Sequence, residues 1–392
     1  MMKMLNGIRV LDVSRLFPGP LCSLILADMG AEVIKIEDPA QGDYLRWMPP
    51  YVGKESVHFL SINRNKKSVK LNLRAPEGRD IFLRLVEKAD VVLEGFRPGV
   101  MKKLRTDYEI CSERNPKIVY CSITGYGQDG PYSKKPGHDM NYMGYAGALS
   151  LTGQAGGPPA VPGVQVADVG GGALMGAIGI LAALVGRGRT GKGQHVDVSM
   201  SDGVVSWLPF YAAQYFSGNG VPTRGEDMLT GAAPFYNIYE TKDGRYLTVG
   251  NIEPKFWKEF CRLIGREDLE VAQFETGDKR DEVSKTVSEI IRTKTLGEWL
   301  EIFDDEDVCC GPVNSIDETF SDPHFLHRKM LIEYEHPVHG KMKAVGPPIK
   351  FSDGPGEVRM PPPGFGEHTA EILAEVGVGE DELKSLEKKK VV

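Results

Sequence analysis

The sequence predicts an α/β protein: a doubly wound, mostly parallel sheet with a smaller α+β domain inserted into it. Three observations point there. The first half alternates buried-strand and helix signals, a Gly/Pro-rich stretch at 217–234 then changes the character of the chain, and a final helix signal near the C-terminus reads as a return to the first domain.

Each element has its own reason. Residues 8–14 (IRVLDVS) read as a buried strand, and a helix follows from Pro18, where proline suits the first turn, to a stop at Gly30. A second strand spans 31–37, and the alternation continues with a strand at 68–73, a helix at 77–88, a strand at 90–94, a helix at 101–114 and a strand at 118–122. Strands separated by helices of this length form parallel sheets covered on both faces, and ligands gather at the strands' carboxyl ends. Residues 169–186 carry no charge and imitate a membrane span, but they open on three glycines in a chain of ordinary hydropathy, so they read as a helix buried on all sides. Residues 195–200 (HVDVSM) are strand-like. Beyond the linker, alternating residues flank Asp243-Gly244, a hairpin signal, and helices follow at 254–264, 281–292 and 296–303. Strand-like segments at 331–335 and 342–345 precede the last helix, at 367–376. The expected organisation is therefore a large domain at 1–216, a linker at 217–234, a small domain at 235–325, and a returning segment at 326–392.

Composition narrows the function. With Lys+Arg 47 against Asp+Glu 54, the net charge of −7 argues against a nucleic-acid or polybasic membrane partner. The six cysteines form no CxxC pair and the first residues lack an apolar export core, so the chain reads as reduced and cytoplasmic. No His/Cys/Asp/Glu cluster has metal spacing, and His336 and His339 read as two residues of a loop. Gly186–Lys192 resembles a phosphate loop, but Gly193 stands where a Ser/Thr would hold magnesium, and the segment follows a helix instead of a strand. GxGxxG and GxSxG motifs are missing where dinucleotide or serine-hydrolase chemistry needs them.

Three segments remain. Asp168 stands immediately before the long apolar helix, where an N-cap alone would be sufficient reason for it. The glycines behind it also suit ligand approach to free helix amides, and a carboxylate there can act as nucleophile or proton acceptor. His138-Asp139 opens a segment rich in small residues, and Glu253 precedes a Pro-initiated helix. Arg64, Lys66, Lys67, Arg97 and Lys103 lie on loops beside successive strands, where a basic patch for an anionic ligand can assemble.

The order of LNGIRVLDVSRLFPGP, ADMGAEVIKIEDPAQGD, NRNKKSVKLNL, GFRPGV, SITGYGQDGPY, TGKGQHVDVSMSDG and GEHTAEIL resembles the family III CoA transferases (the CaiB/BaiF group), which also contains the α-methylacyl-CoA racemases. The resemblance implies a Rossmann-like large domain built from both chain ends, an interlocked homodimer, and an acyl-CoA substrate, with coenzyme A as part of that substrate and no permanently bound cofactor. In the transferases the Asp matching Asp168 attacks the thioester. In the racemases it is one of two acid/base groups, paired with the His of a Gly-His-Asp-x-Asn-Tyr motif and assisted by the Glu of an Ile-Glu-Pro-x-Phe motif. Those positions are His138, Asp168 and Glu253 here, with the Asp139 N–H implied as an enolate donor. Glu94-Gly95-Phe96-Arg97 is nearer the racemases, whereas Cys310–Asn314 followed by SDPHF is transferase-like. A racemase Arg falls on Lys103 and an adenine-side Arg on Asp38. Of the loop-borne cations, Arg64, Arg97 and Lys103 are the expected CoA contacts, with Phe96 beside them, and Phe17-Pro18-Gly19 and Tyr126-Gly127 are expected along the pantetheine and acyl route. Inversion next to a thioester needs one group on each face of Cα, which His138 and Asp168 can supply, so the sequence favours an acyl-CoA racemase or epimerase over a CoA transferase.

Overall fold

A computed structural model describes residues 4–352 and 357–392. The first three residues of the expected large domain and residues 353–356 of the returning segment lie outside the described residues. Six parallel strands form the main sheet: β1 (Arg9–Asp12), β2 (Glu32–Glu37), β3 (Lys66–Lys70), β4 (Val91–Glu94), β5 (Val119–Thr124) and β6 (His195–Ser199). Their spatial order is β3-β2-β1-β4-β5-β6. The order reverses between β1 and β4, and the crevice above the carboxyl ends of those strands is where such sheets bind ligands. The β-branched runs of β4 and β5 are buried along their whole length, as expected for a sheet covered on both faces.

The chain packs into two compact units. The larger comprises Met1–Ala146, Val164–Trp207 and Pro323–Val392; the smaller comprises Gly147–Gly163 and Leu208–Asp322. In the larger unit, Leu11, Ile34, Val69, Val92 and Tyr120 of the sheet pack with Ile81, Phe82 and Leu85 of α2 (Pro76–Val86), which follows α1 (Pro18–Asp28). Ile372, Leu373 and Leu386 from the last two helices, Thr369–Ala374 and Glu380–Lys388, join the same core. The helix expected at 101–114 is instead two, Val100–Leu104 and Tyr108–Arg114. Arg105 turns left-handed at φ 57, and Asp107 caps the second helix by accepting from the Ile110 N–H.

The uncharged segment enters the larger unit as a wide-turned π-helix, Ala167–Leu174, continuing as an α-helix from Met175 to Thr190. Ala167–Thr190 is long and apolar enough to cross a membrane by length and composition. Its glycine face nonetheless lies on the sheet and on α1, since a Cβ at Gly176 would meet the Ile123 and Cys22 side chains. Burial on all sides is not what it has: Leu174, Ile178 and Val185 form an exposed apolar stripe.

In the smaller unit, β7 (Tyr236–Glu240), β8 (Tyr246–Gly250) and β9 (Cys310–Pro312) make an antiparallel sheet. Helices Pro254–Leu263, Gly277–Ile291 and Leu296–Phe303 cover it around Trp257, Phe260 and Trp299. Residues 147–163 and the helix Pro209–Phe216, which the sequence assigned to the large domain, belong to this unit.

Candidate active site

A cavity of about 930 Å³ opens in the larger unit above the strand-order reversal. The segments leaving three strands line it: Arg15–Gly19 after β1, Gly95–Pro98 after β4, and Gly125-Tyr126 after β5. His138, Asn141 and Tyr142, at the start of α3 (Asp139–Tyr145), and Asp168 on the π-helix complete the wall. Thus His138 and Asp168, thirty positions apart in sequence, share one cavity.

Asp168 owes its place to glycine. Gly170, Gly171 and Gly172 let the π-helix lie flush on α4 (Met200–Val205): a Cβ at Gly171 would sit 2.4 Å from the Met200 carbonyl oxygen, and one at Gly170 would strike the Trp207 ring. The glycines therefore serve helix packing. Asp168 is not the N-cap either. The Asp139 carboxylate takes the cap's part, its Oδ1 accepting from the N–H groups of Ala167 (2.7 Å) and Asp168 (3.0 Å). Burial, and then the charge of Asp139, push the Asp168 carboxyl up to about 7.

His138 ends an extended stretch and its N–H donates to Asn141 Oδ1 at 3.0 Å, fixing the turn into α3. The Tyr142 hydroxyl donates to the Gly137 carbonyl in a short contact. Burial first, with Asp168 and Tyr126 adding and Arg97 opposing, pushes that phenol up to about 12, so it stays protonated at the cavity wall. Below the floor, Glu94 accepts from the Phe96 N–H at 2.7 Å and thereby holds the Gly95–Pro98 loop; its burial pushes the carboxyl up to about 7.

The cationic groups fall differently from the expected patch. Arg97 lines the cavity, together with Phe96 and Tyr126. Arg64 does not: it is buried and forks onto Asp28 (2.6 and 3.1 Å), while also donating to the Val345 carbonyl. Lys66 is fully buried beneath Asp12, and Lys67 pairs with Glu32 and Glu371. Lys103 is exposed on the helix Val100–Leu104, outside the lining. Gly127 makes a left-handed turn (φ 84) beside Asp197, also outside it. Glu253 heads the helix Pro254–Leu263 of the smaller unit.

Two lining cations were missed. Arg15 lies 5.2 and 5.0 Å from the Tyr44 and Phe96 ring centres, and Lys135 donates to the Tyr145 hydroxyl at 2.9 Å. The position of Arg15 directly after β1 was the available signal, because ligand loops follow strand ends. A narrow slot of about 180 Å³ adjoins Arg15 and Phe96, walled by Val13, Ile36 and Leu71, with the Arg74–Asp38 pair (3.1 Å) beside it. Outside both cavities, Glu55 meets His336 and His339, so the two histidines are more than loop residues.

Residues 5–369 match the family described as CoA-transferase family III. The chain is 36% identical to human succinyl-CoA:glutarate CoA-transferase over 380 residues, covering 95% of this chain and 86% of that one. It is also 36% identical to human alpha-methylacyl-CoA racemase over 389 residues, covering 99% and 97%. A solved CAIB/BAIF family protein from Brucella suis superposes with a TM-score of 0.83 at 32% identity, covering 96% of this chain and 100% of that one. With a family match over nearly its whole length and relatives well above 30% identity, the chain belongs to family III of the CoA-transferases, enzymes that use CoA substrates.

Proposed function

We propose that the protein is an acyl-CoA racemase or epimerase that inverts a 2-substituted acyl-CoA by proton transfer at Cα. The observation that carries this reading is that His138 and Asp168, from different elements, line one cavity in which Asp168 is held near pH 7. A carboxyl poised there is present in both protonation states, as a two-group mechanism requires. In one direction neutral His138 takes the Cα proton and protonated Asp168 returns one to the opposite face; in the other, ionised Asp168 takes it and the imidazolium returns it. Between the two steps the thioester oxygen carries the enolate charge. Preorganised N–H donors lower such a barrier, and the Asp139 N–H, in the first turn of α3 where amides lack intrahelical acceptors, is the assigned donor.

Arg15, Arg97 and Lys135 give the CoA phosphates their countercharge, and the slot beside Phe96 takes the flat heterocycle. Leu16, Phe17, Leu45, Met48 and Met200 give the cavity an apolar lining suited to a branched acyl chain. Incubation of a resolved 2-methylacyl-CoA in D2O tests the reading: inversion with deuterium at Cα is expected, and prolonged incubation without label rejects it. A second reading, CoA transfer to a carboxylic acid through an Asp168 acyl anhydride, is favoured by the transferases among the relatives. It predicts an adduct trapped by hydroxylamine and a His138→Ala variant that keeps most of its activity. For the assembly we infer a homodimer, supported by the exposed apolar stripe at Leu174, Ile178 and Val185.

A further inference from the structure

We propose that Glu55, His336 and His339 form a binding site for one divalent metal ion of the zinc type, separate from the catalytic cavity. Strands β10 (Leu331–His336) and β11 (Gly340–Val345) pair antiparallel with His336 opposite Gly340, so Pro337, Val338 and His339 make the turn. That turn meets the two-residue hairpin of Tyr51–Val52 and Glu55–Ser56, where His339 Nε2 lies 2.6 Å from Glu55 Oε2. The two imidazoles stack with centres 4.7 Å apart. One ligand atom from each of the three residues falls within 4.8 Å of the other two.

The second, independent observation is His336 itself. It is only 5% exposed, and its Nδ1 accepts from the N–H groups of Val338 (3.2 Å) and His339 (3.3 Å). The ring's proton therefore sits on Nε2, which is buried without a hydrogen-bond partner; the Pro362 carbonyl is near it but outside bonding geometry. A buried polar atom left unpaired is costly to keep and points to a partner that completes it.

Two imidazoles and one carboxylate are the donor set of zinc sites that leave a fourth position to water, whereas magnesium and calcium prefer oxygen alone. Tetrahedral zinc bonds of about 2.0–2.1 Å set the donors roughly 3.3 Å apart, so the Glu55–His339 pair at 2.6 Å opens slightly while the His336 donor closes in. Coordination through Nε2 moves the His336 proton to Nδ1, which can then no longer accept from Val338 and His339. Those two long contacts break, and the turn rearranges around the ion. The site so formed staples the segment after the cavity-lining residues Tyr44, Leu45 and Met48 to the C-terminal hairpin.

Full-length protein stripped with chelator and titrated with zinc chloride tests this. One zinc per chain is expected, with a rise in Tm and faster amide exchange at Val338 and His339. Affinity is expected to fall about tenfold or more in Glu55→Gln and in His339→Ala. Both residues are less buried than His336, so these variants are expected to fold, and circular dichroism reports it. Uptake no tighter than that of the Glu55→Gln/His339→Ala double variant overturns the proposal. So does uptake that survives that variant but is lost in Cys309→Ser/Cys310→Ser, which would place the metal at the adjacent cysteines.

Discussion

Asp168 faces two opposed demands: burial disfavours its charge, and the chemistry needs the charge part of the time. With the carboxyl raised to about 7, the rate of proton removal by Asp168 is expected to fall below about pH 7, approaching tenfold per unit, in a pH–rate profile of deuterium exchange. Asp139→Asn keeps an oxygen to accept from the Ala167 and Asp168 N–H groups but removes a negative charge, so the acidic limb is expected to move to lower pH. Stability runs the other way. An unfolded Asp titrates near 3.9, so between about pH 4 and pH 7 the folded state holds a proton that the unfolded state has lost, and stability falls as pH rises. Asp168→Asn is therefore expected to abolish inversion, leaving only the exchange that His138 carries out on its own face, yet stabilise the protein above pH 7, by about 1–2 kcal/mol after solvent screening, with no gain below pH 4. Urea denaturation at pH 8 and at pH 4 distinguishes these outcomes. At this scale the sequence revealed residue types and not their partners. Arg64 looked like a phosphate ligand because its bond to Asp28 joins positions that are neighbours only after β3 pairs with β2.

The elements show which local signals survive folding. Pro18 at the first turn of α1 and the buried β-branched strands were legible because each rests on backbone geometry or a run of apolar residues. The π-helix was not, because a wide turn has no composition of its own; the three glycines read equally well as a ligand approach. Gly171→Ala distinguishes the two uses. Its Cβ would sit 2.4 Å from the Met200 carbonyl oxygen, a backbone clash that no rotamer relieves. Overpacking of this kind costs about 1–3 kcal/mol, and the displaced helix carries Asp168 with it. The variant is expected to lose both stability and Cα exchange, whereas a ligand-approach glycine would lose affinity alone. The loop after β1 offers a matching test. Leu16 is left-handed at φ 64, and its N–H donates to Asp43, which pairs with the fully buried Lys35 at 2.8 Å. Lys35→Met strands that carboxylate, and a destabilisation of about 3–5 kcal/mol is expected in equilibrium unfolding.

At the scale of the whole molecule, the strand alternation was enough to foresee a parallel sheet, and the strand-end rule pointed to the cavity above it. The division into units was harder to read. Residues 147–163 hold five glycines and three prolines, a boundary signal as dense as that at 217–234 that the strand–helix alternation on either side hid, and they pack with the segment that begins at Leu208. The apolar helix raises the remaining question. It was expected to be buried on every side, yet Leu174, Ile178 and Val185 are 44%, 58% and 63% exposed. A contiguous apolar stripe of this kind marks an association surface, and a closed homodimer is the commonest way to cover one. Sedimentation equilibrium is expected to give twice the chain mass of 43.1 kDa. Ile178→Glu would bury a charge in that contact and is expected to shift the protein towards monomer at micromolar concentration, while the glycine face of the same helix keeps its place on the sheet. A wild-type monomer under these conditions, or a dimer indifferent to glutamate at 178, would show that the stripe is covered in some other way.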